Sequence, residues 1–269
     1  MNYRIAFAII TWNSEKYIKK CLDSIESFKK LDYEIFVVDN GSIDNTVKIL
    51  KENNNNKIHV DCLEKNLGTT ISRNIALKKI DDSFDYVSVL DSDTIVNENA
   101  FINLIDKLKK DESIGIIGPQ LVCSDGRIQN SGRNLPTPKE KILKILPFKK
   151  IQELAINLEK VSMQNDTYEV GYLMSACWLM PRSIIEKIGL LDEKIFYAPE
   201  DAEYCMRAWQ YGYKVVFSKD VYIIHEWQRI SRKKIISKIN YEHIKGLIYF
   251  WKKYKMKDIT EINKKVCKR

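Results

Sequence analysis

The chain has 269 residues, 45% of them hydrophobic and 10% aromatic, with a formal net charge of +8. That composition allows a substantial core and excludes a disordered polypeptide. Residues 229–269 hold 14 basic and 3 acidic side chains, a local +11, so the first 228 residues sum to −3 and a globally basic protein is excluded.

Six cysteines lie far apart with no C-x-x-C pair, which argues against a zinc ribbon or a compact disulfide framework and fits a reducing compartment. The apolar stretch 5–10 is too short for a signal-peptide core, and no run approaches the roughly 20 residues of a membrane span. The expectation is a soluble, cytoplasmic protein.

Residues 4–11 form a β-rich apolar run. Over 14–28, Tyr17, Ile18, Cys21, Leu22, Ile25 and Phe28 recur at the spacing of an amphipathic helix. Strands are then expected at 33–39, 58–63, 86–90 and 114–118, and helices at 44–52, 70–80 and 98–110. Strict alternation of β and α predicts right-handed crossovers and a mostly parallel, Rossmann-like α/β sheet with helices on both faces.

After residue 118 the rhythm breaks. Asp125-Gly126 is a hairpin signal. The stretch 133–150, with three prolines and six Lys/Arg against one acid, reads as a mobile basic loop. Short helices are expected at 181–189 and 200–211, closed by Gly189 and Gly212, and strands at 214–218 and 221–225. From residue 231 a basic amphipathic helix is expected, with Tyr241, Ile244, Leu247, Ile248 and Trp251 as its apolar row.

Several chemistries have no motif here. There is no G-x-G-x-x-G, no Gly-Lys pair and no G-x-S-x-G, and three histidines are too few for a multi-histidine centre. In an open parallel sheet ligands bind beyond the carboxyl ends of the strands. Those ends read Thr11-Trp12-Asn13, Asp39-Asn40-Gly41-Ser42, Asn66-Leu67-Gly68 and Asp91-Ser92-Asp93. Two carboxylates on such a rim would repel a phosphate ligand unless a divalent cation intervened. Asp-x-Asp supplies hard oxygen donors that suit Mg²⁺ or Mn²⁺ carrying a diphosphate; the alternative is a pair of turn caps. A second acidic pair, Glu200-Asp201, opens a helix. It either answers the helix dipole or takes a proton from an attacking hydroxyl.

The blocks ITWNSEKYIKKCLDSI, VVDNGSIDNT, EKNLGTTISRNIAL, VLDSDT and FYAPEDAEYCMRAWQYGYKV, in this order, resemble the family 2 glycosyltransferases of the GT-A fold, which invert the anomeric centre of a nucleotide-sugar. The likeness runs from residue 4 to about residue 225. It implies one catalytic domain over 1–228, with the donor nucleotide on 1–118 and the acceptor on 119–228, followed by the basic tail 229–269. It places Thr11, Trp12, Asn13 and Asp39 against base and ribose, with Asp39 accepting from a pyrimidine, hence a UDP- or dTDP-linked donor. Asn66, Gly68, Arg73, Asp91 and Ser92 join the nucleotide site. Asp91 and Asp93 would hold Mn²⁺ or Mg²⁺, Asp201 would be the base, and Glu200 would hold acceptor or donor hydroxyls. Trp178 is either a sugar-stacking wall or core. His225, at the end of the run VYIIH, is either a third metal ligand, as in some members, or a polar strand cap.

The chain is similar in extent to the transferases that extend bacterial surface polysaccharides, rhamnosyltransferases among them. The implied acceptor is a glycan, lipid-linked or protein-linked hydroxyl. Other readings are a nucleic-acid binder using the tail, a sugar nucleotidyltransferase and a non-catalytic nucleotide-sugar binder. The strand-end acids oppose the first, and no nucleic acid partner is expected. The tail either packs on the body or forms a peripheral foot on anionic membrane.

Overall fold

A computed structural model of the chain describes residues 3–161, 165–226 and 238–267. In the first half, strands β1 (Arg4–Thr11), β2 (Asp32–Asp39), β3 (Ile58–Cys62), β4 (Tyr86–Asp91), β5 (Thr94–Ile95) and β6 (Ile114–Val122) alternate with helices α1 (Ile18–Glu26), α2 (Thr46–Glu52), α3 (Thr69–Leu77) and α4 (Glu98–Lys110). The short strands β7 (Ile128–Gln129) and β8 (Gly132–Arg133) follow, then helices α5 (Pro138–Ile145) and α6 (Lys149–Glu159). Strands β9 (Thr167–Glu169), β10 (Tyr172–Leu173) and β11 (Cys177–Pro181) lead to α7 (Arg182–Ile188), α8 (Glu200–Gln210) and β12 (Lys214–His225). The chain closes with α9 (Lys238–Lys253) and α10 (Met256–Cys267).

The main sheet runs in the order β3, β2, β1, β4, β11, β6, β12, β5. The first four strands are parallel, and β6 is parallel to β12. The expected mostly parallel frame thus holds, with two departures on this path: β11 enters antiparallel between β4 and β6, and β5 closes the edge antiparallel to β12. Strand order reverses at β1, whose partners β2 and β4 lie on opposite sides. The crevice beyond the ends of β1 and β4 is therefore the place for a ligand.

Burial on both faces explains the unbroken apolar run of β1. Ile5, Phe7 and Ile9 point to the α1/α4 layer, where the Phe7 ring meets Phe101 edge-on at 5.1 Å and Phe28 at 5.9 Å. Ala6 and Ala8 point the other way, and their small size lets α3 pack closely through Ala76. Phe101→Ala removes a fully buried ring from the first layer and is expected to cost about 3–5 kcal/mol. Urea unfolding reads this as a lower midpoint at unchanged slope.

The second half differs from expectation in four places. The presumed loop 133–150 contains α5 and the start of α6. Thr137 caps α5 by accepting from Glu140 N, and Pro138 occupies the first turn, where a missing N–H costs nothing. The two strands expected at 214–225 are one, β12, with an irregularity between Ser218 and Tyr222. The tail has two helices, α9 and α10, and the part of the expected helix at 231–237 lies outside the described residues. Its apolar row is also divided: Leu247 is buried, while Tyr241, Ile244 and Ile248 are exposed. The inward face instead uses Phe250, Tyr254, Ile259 and Val266, which join the α3 side of the core. Among the described residues no helix is long and apolar enough to cross a membrane. The Asp125-Gly126 hairpin between β6 and β7 forms as expected.

Candidate active site

A cavity of about 610 Å³ opens beyond the ends of β1 and β4, bounded by strand-end residues on one side and by the segments 174–176 and 196–201 on the other. Two glycines shape the loops around it. Gly41 turns the chain after β2 at φ +74°, where a Cβ would lie 2.7 Å from the Lys65 backbone. Gly68, at φ +92°, touches the loop before α8 so closely that a Cβ would fall 2.4 Å from Phe196 O. Next to it, Thr69 N donates to Phe196 O at 2.7 Å and Thr70 Oγ1 donates to Ile195 O. These bonds tie the acidic loop of the second half to the strand ends of the first.

Thr11, Trp12, Asn66, Gly68, Arg73, Asp91, Ser92 and Asp93 all line this cavity. Thr11 Oγ1 is buried with no hydrogen-bond partner, a polar atom that a bound ligand could satisfy. Asn66 Oδ1 accepts from Gly68 N and from Asn40 Nδ2 and so holds the loop. Ser92 Oγ meets Ser14 Oγ at 2.9 Å, which links the ends of β4 and β1.

The centre is an arginine between two acids. Arg73 is almost wholly buried; its Nη2 donates to Asp91 at 2.7 Å and its Nη1 to Glu200 at 2.9 Å. Glu200 also accepts from Ser175 Oγ at 3.0 Å. Burial and the neighbouring Asp201 push the Glu200 pKa from 4.5 up to about 8, against the pull of Arg73 and Ser175. A carboxyl raised in this way favours the folded state at low pH, and that advantage fades as pH rises from 4.5 to about 8. Burial likewise raises Asp201, which lines the same cavity, while its contact with Ala202 N and the charges of Arg133 and Arg73 pull it down. Asp91 is raised by burial and by Asp93, opposed by Arg73.

Asp91, Asp93 and His225 each offer a ligand atom within 4.8 Å of the other two. His225 Nε2 lies 3.3 Å from Asp93 Oδ1. Its Nδ1 lies 2.7 Å from Gln129 Oε1, and the Gln129 amide is oriented by donating from Nε2 to His225 O at 2.8 Å. With the amide set this way, Nδ1 carries a proton toward Gln129, and Nε2 faces the two carboxylates, free to give up its proton to a cation bound there. Burial opposes a charge on His225, but Asp93 and Asp91 outweigh it and raise its pKa. Two carboxylates and an oriented imidazole make a donor set that fits a borderline divalent cation such as Mn²⁺.

Two expected ligand residues stand outside this cavity, and Trp178 takes the second of its two readings. Asp39 is fully buried and accepts from Ser42 N at 2.9 Å and Ser42 Oγ at 2.5 Å, so its carboxylate shapes the turn after β2. Asn13, at φ +51°, spans the same turn by donating from N to Ser42 Oγ and accepting from Ile43 N. Neither lines the cavity. Trp178 is core: the alternation of β11 turns it inward, it stacks on Tyr204 at 5.7 Å, and its Nε1 donates to Leu173 O. The residues of that segment on the cavity wall are Met174, Ser175 and Ala176. Sequence reasoning missed Gln129 and Ser175; a glutamine in a two-residue strand and a serine in an irregular stretch carry no periodic signal.

The tail braces this wall. Lys253 Nζ binds Glu203 at 2.7 Å and Asp192 at 2.6 Å, and Tyr254 OH donates to Glu203 at 2.7 Å, two residues beyond Asp201. Gly246 of α9 sits so close to the loop before α8 that a Cβ would lie 2.2 Å from Ala198 O.

Residues 6–189 match the family model described as glycosyl transferase family 2. The poly-beta-1,6-N-acetyl-D-glucosamine synthase of Staphylococcus epidermidis is 28% identical over 205 residues, which cover 72% of this chain and 48% of that protein. The chain therefore spans about half the length of that relative. Staphylococcus aureus TarS 1-349, solved in complex with UDP, is similar with a TM-score of 0.56 and 22% identity, over 82% of this chain and 60% of that one. A mannosyltransferase of Pyrobaculum calidifontis, solved with GDP-Man and Mn²⁺, is similar with a TM-score of 0.63 and 15% identity, over 94% and 64%. The fold is thus that of the GT-A glycosyltransferases, and with two thirds of its length matched by the family model, the chain belongs to glycosyl transferase family 2.

Proposed function

We propose that the chain transfers a sugar, with inversion, from a UDP- or dTDP-linked donor to a hydroxyl of a glycan, glycolipid or protein-linked acceptor, assisted by Mn²⁺ or Mg²⁺. The observation that carries this reading is one cavity holding the Asp91, Asp93 and His225 donor set and the Glu200-Asp201 pair, joined through Arg73. A cation held by Asp91, Asp93 and His225 would neutralise the charge that develops on the departing diphosphate.

The chain's own residues supply the rest. Thr11, Trp12 and Asn66 bound the part of the cavity suited to base and ribose. Arg73 holds Asp91 and Glu200 in fixed relation, so that the donor and acceptor sides keep their spacing. Asp201, made more basic by burial, takes the proton of the acceptor hydroxyl. That oxygen forms a bond to the anomeric carbon as the bond from this carbon to the diphosphate oxygen breaks. Attack from the side opposite the leaving group inverts the centre. Glu200, with its raised pKa, can donate a hydrogen bond to a sugar hydroxyl at neutral pH.

The names of the relatives, a poly-beta-1,6-N-acetyl-D-glucosamine synthase and a protein solved with UDP, support a UDP-sugar donor and a place in making a polysaccharide. The test is release of nucleoside diphosphate from a set of UDP- and dTDP-sugars with Mn²⁺ and candidate acceptors. Acceptor-stimulated release from at least one donor is expected; no release from any donor contradicts the proposal. Gln129→Leu leaves the His225 Nδ1 proton unpaired and is expected to weaken Mn²⁺ binding about 10- to 100-fold, as read by titration calorimetry.

A further inference from the structure

Helices α5 and α6 form a hairpin whose tip is both apolar and basic. Ile142 and Ile145, three residues apart on one face of α5, are 60% and 81% exposed, and Phe148 in the connection is 61% exposed. Lys139, Lys149 and Lys150 are exposed around them against one exposed acid, Glu153 of α6, whereas Glu140 and Glu159 turn inward: both bind Lys144, and Glu159 also binds Arg133. Large apolar side chains so placed gain nothing from water, and a rim of exposed lysines disfavours a basic partner.

A second exposed apolar row runs alongside. Tyr241, Ile244 and Ile248 lie on one face of α9. His243, just before Ile244, is held near pKa 4 by burial and by the charges of Lys141 and Lys144 of α5. Trp251 Nε1 also donates to Pro136 O, at the entry to α5. The first turn of α9 reaches the reaction cavity, where Ile239 lines it.

We infer that the α5–α6 tip and the outer face of α9 together form a docking surface for an anionic phospholipid bilayer. Ile142, Ile145 and Phe148 enter the interface while Lys139, Lys149 and Lys150 meet the anionic headgroups. Docked in this way, the acceptor side of the cavity lies near the membrane surface, which deepens the transfer proposal, on which it rests, by selecting a lipid-linked acceptor. The surface differs from the basic tail by itself, because its exposed apolar core comes mainly from residues 142–148.

The test is co-sedimentation of the full chain with vesicles of phosphatidylcholine alone or mixed with phosphatidylglycerol. Binding to the mixed vesicles that falls as salt rises is expected. Ile145→Glu with Phe148→Glu should remove it, and Lys149→Glu with Lys150→Glu should lower the partition coefficient about tenfold or more. Thermal stabilisation by nucleotide-sugar should be unchanged in both variants, which shows that they fold. Absent binding, equal binding by wild type and variants, or a solution dimer that the Ile145/Phe148 pair dissolves would each overturn the inference. The two proposals can fail separately: vesicle binding without nucleotide-sugar binding defeats the transfer reading, and the reverse defeats this one.

Discussion

Replacing Asp201 with Asn is expected to lower the rate of sugar transfer by about 10²–10⁴-fold while leaving donor affinity close to wild type. The amide keeps the size of the side chain at the mouth of α8 but cannot take a proton. The donor contacts proposed at Thr11, Trp12 and Asn66 are on the opposite wall and do not change. Because Asp201 is raised by burial, wild-type turnover should also fall on the acid side of its pH profile, where the carboxyl is protonated, and the Asn variant should lose that limb. Steady-state kinetics with calorimetry on the same preparations check this. A variant that turns over normally removes Asp201 from the role of base.

Asp93→Ala is the second large effect. Asp93 offers a ligand oxygen to the same point as Asp91 and His225, and its Oδ1 faces His225 Nε2. Losing it should lower transfer by about 10²–10³-fold through lost charge neutralisation at the leaving diphosphate. Donor affinity in the presence of Mn²⁺ should fall toward the value measured with chelator. The expected pattern differs from that of Asp201→Asn, since binding and turnover fall together. Tight, chelator-insensitive nucleotide binding by the Ala variant would contradict a cation-held diphosphate.

Much of the frame was legible in the sequence because β1, β2 and β4 are buried on both faces and so are written as continuous apolar runs ending in polar residues. The rim of Thr11, Asn66, Asp91 and Asp93 follows from that pattern, and the structure brings these residues to one cavity with Glu200, Asp201 and His225. Less legible were features that depend on distant neighbours. Pro138 reads as a loop residue until Thr137 is seen capping α5 in front of it. Trp178 could face a sugar or the core, and only the register of β11 against β4 decides for the core. Asp39 has the right chemistry for a pyrimidine, and the two bonds that Ser42 donates to its carboxylate within the turn are a contact no periodic pattern announces.

The tail shows the same limit. A row at Tyr241, Ile244, Leu247, Ile248 and Trp251 has helical spacing, yet α9 packs a quarter-turn away from it, because Gly246 and Phe250 meet the body and Lys253 seeks the buried Glu203. The excess charge of the chain is concentrated there, and part of it is consumed in fixing the helix that carries Asp201. Periodicity identifies an amphipathic helix but does not say which edge of its apolar face is covered.

The most direct test of the central claim, a cation-dependent nucleotide-sugar site at the ends of β1 and β4, is a thermal-shift panel of UDP- and dTDP-sugars with and without Mn²⁺. Selective stabilisation by at least one donor that requires Mn²⁺ and is reversed by chelator is the predicted result. Melting that is unchanged by every donor, with Mn²⁺ present, would contradict it.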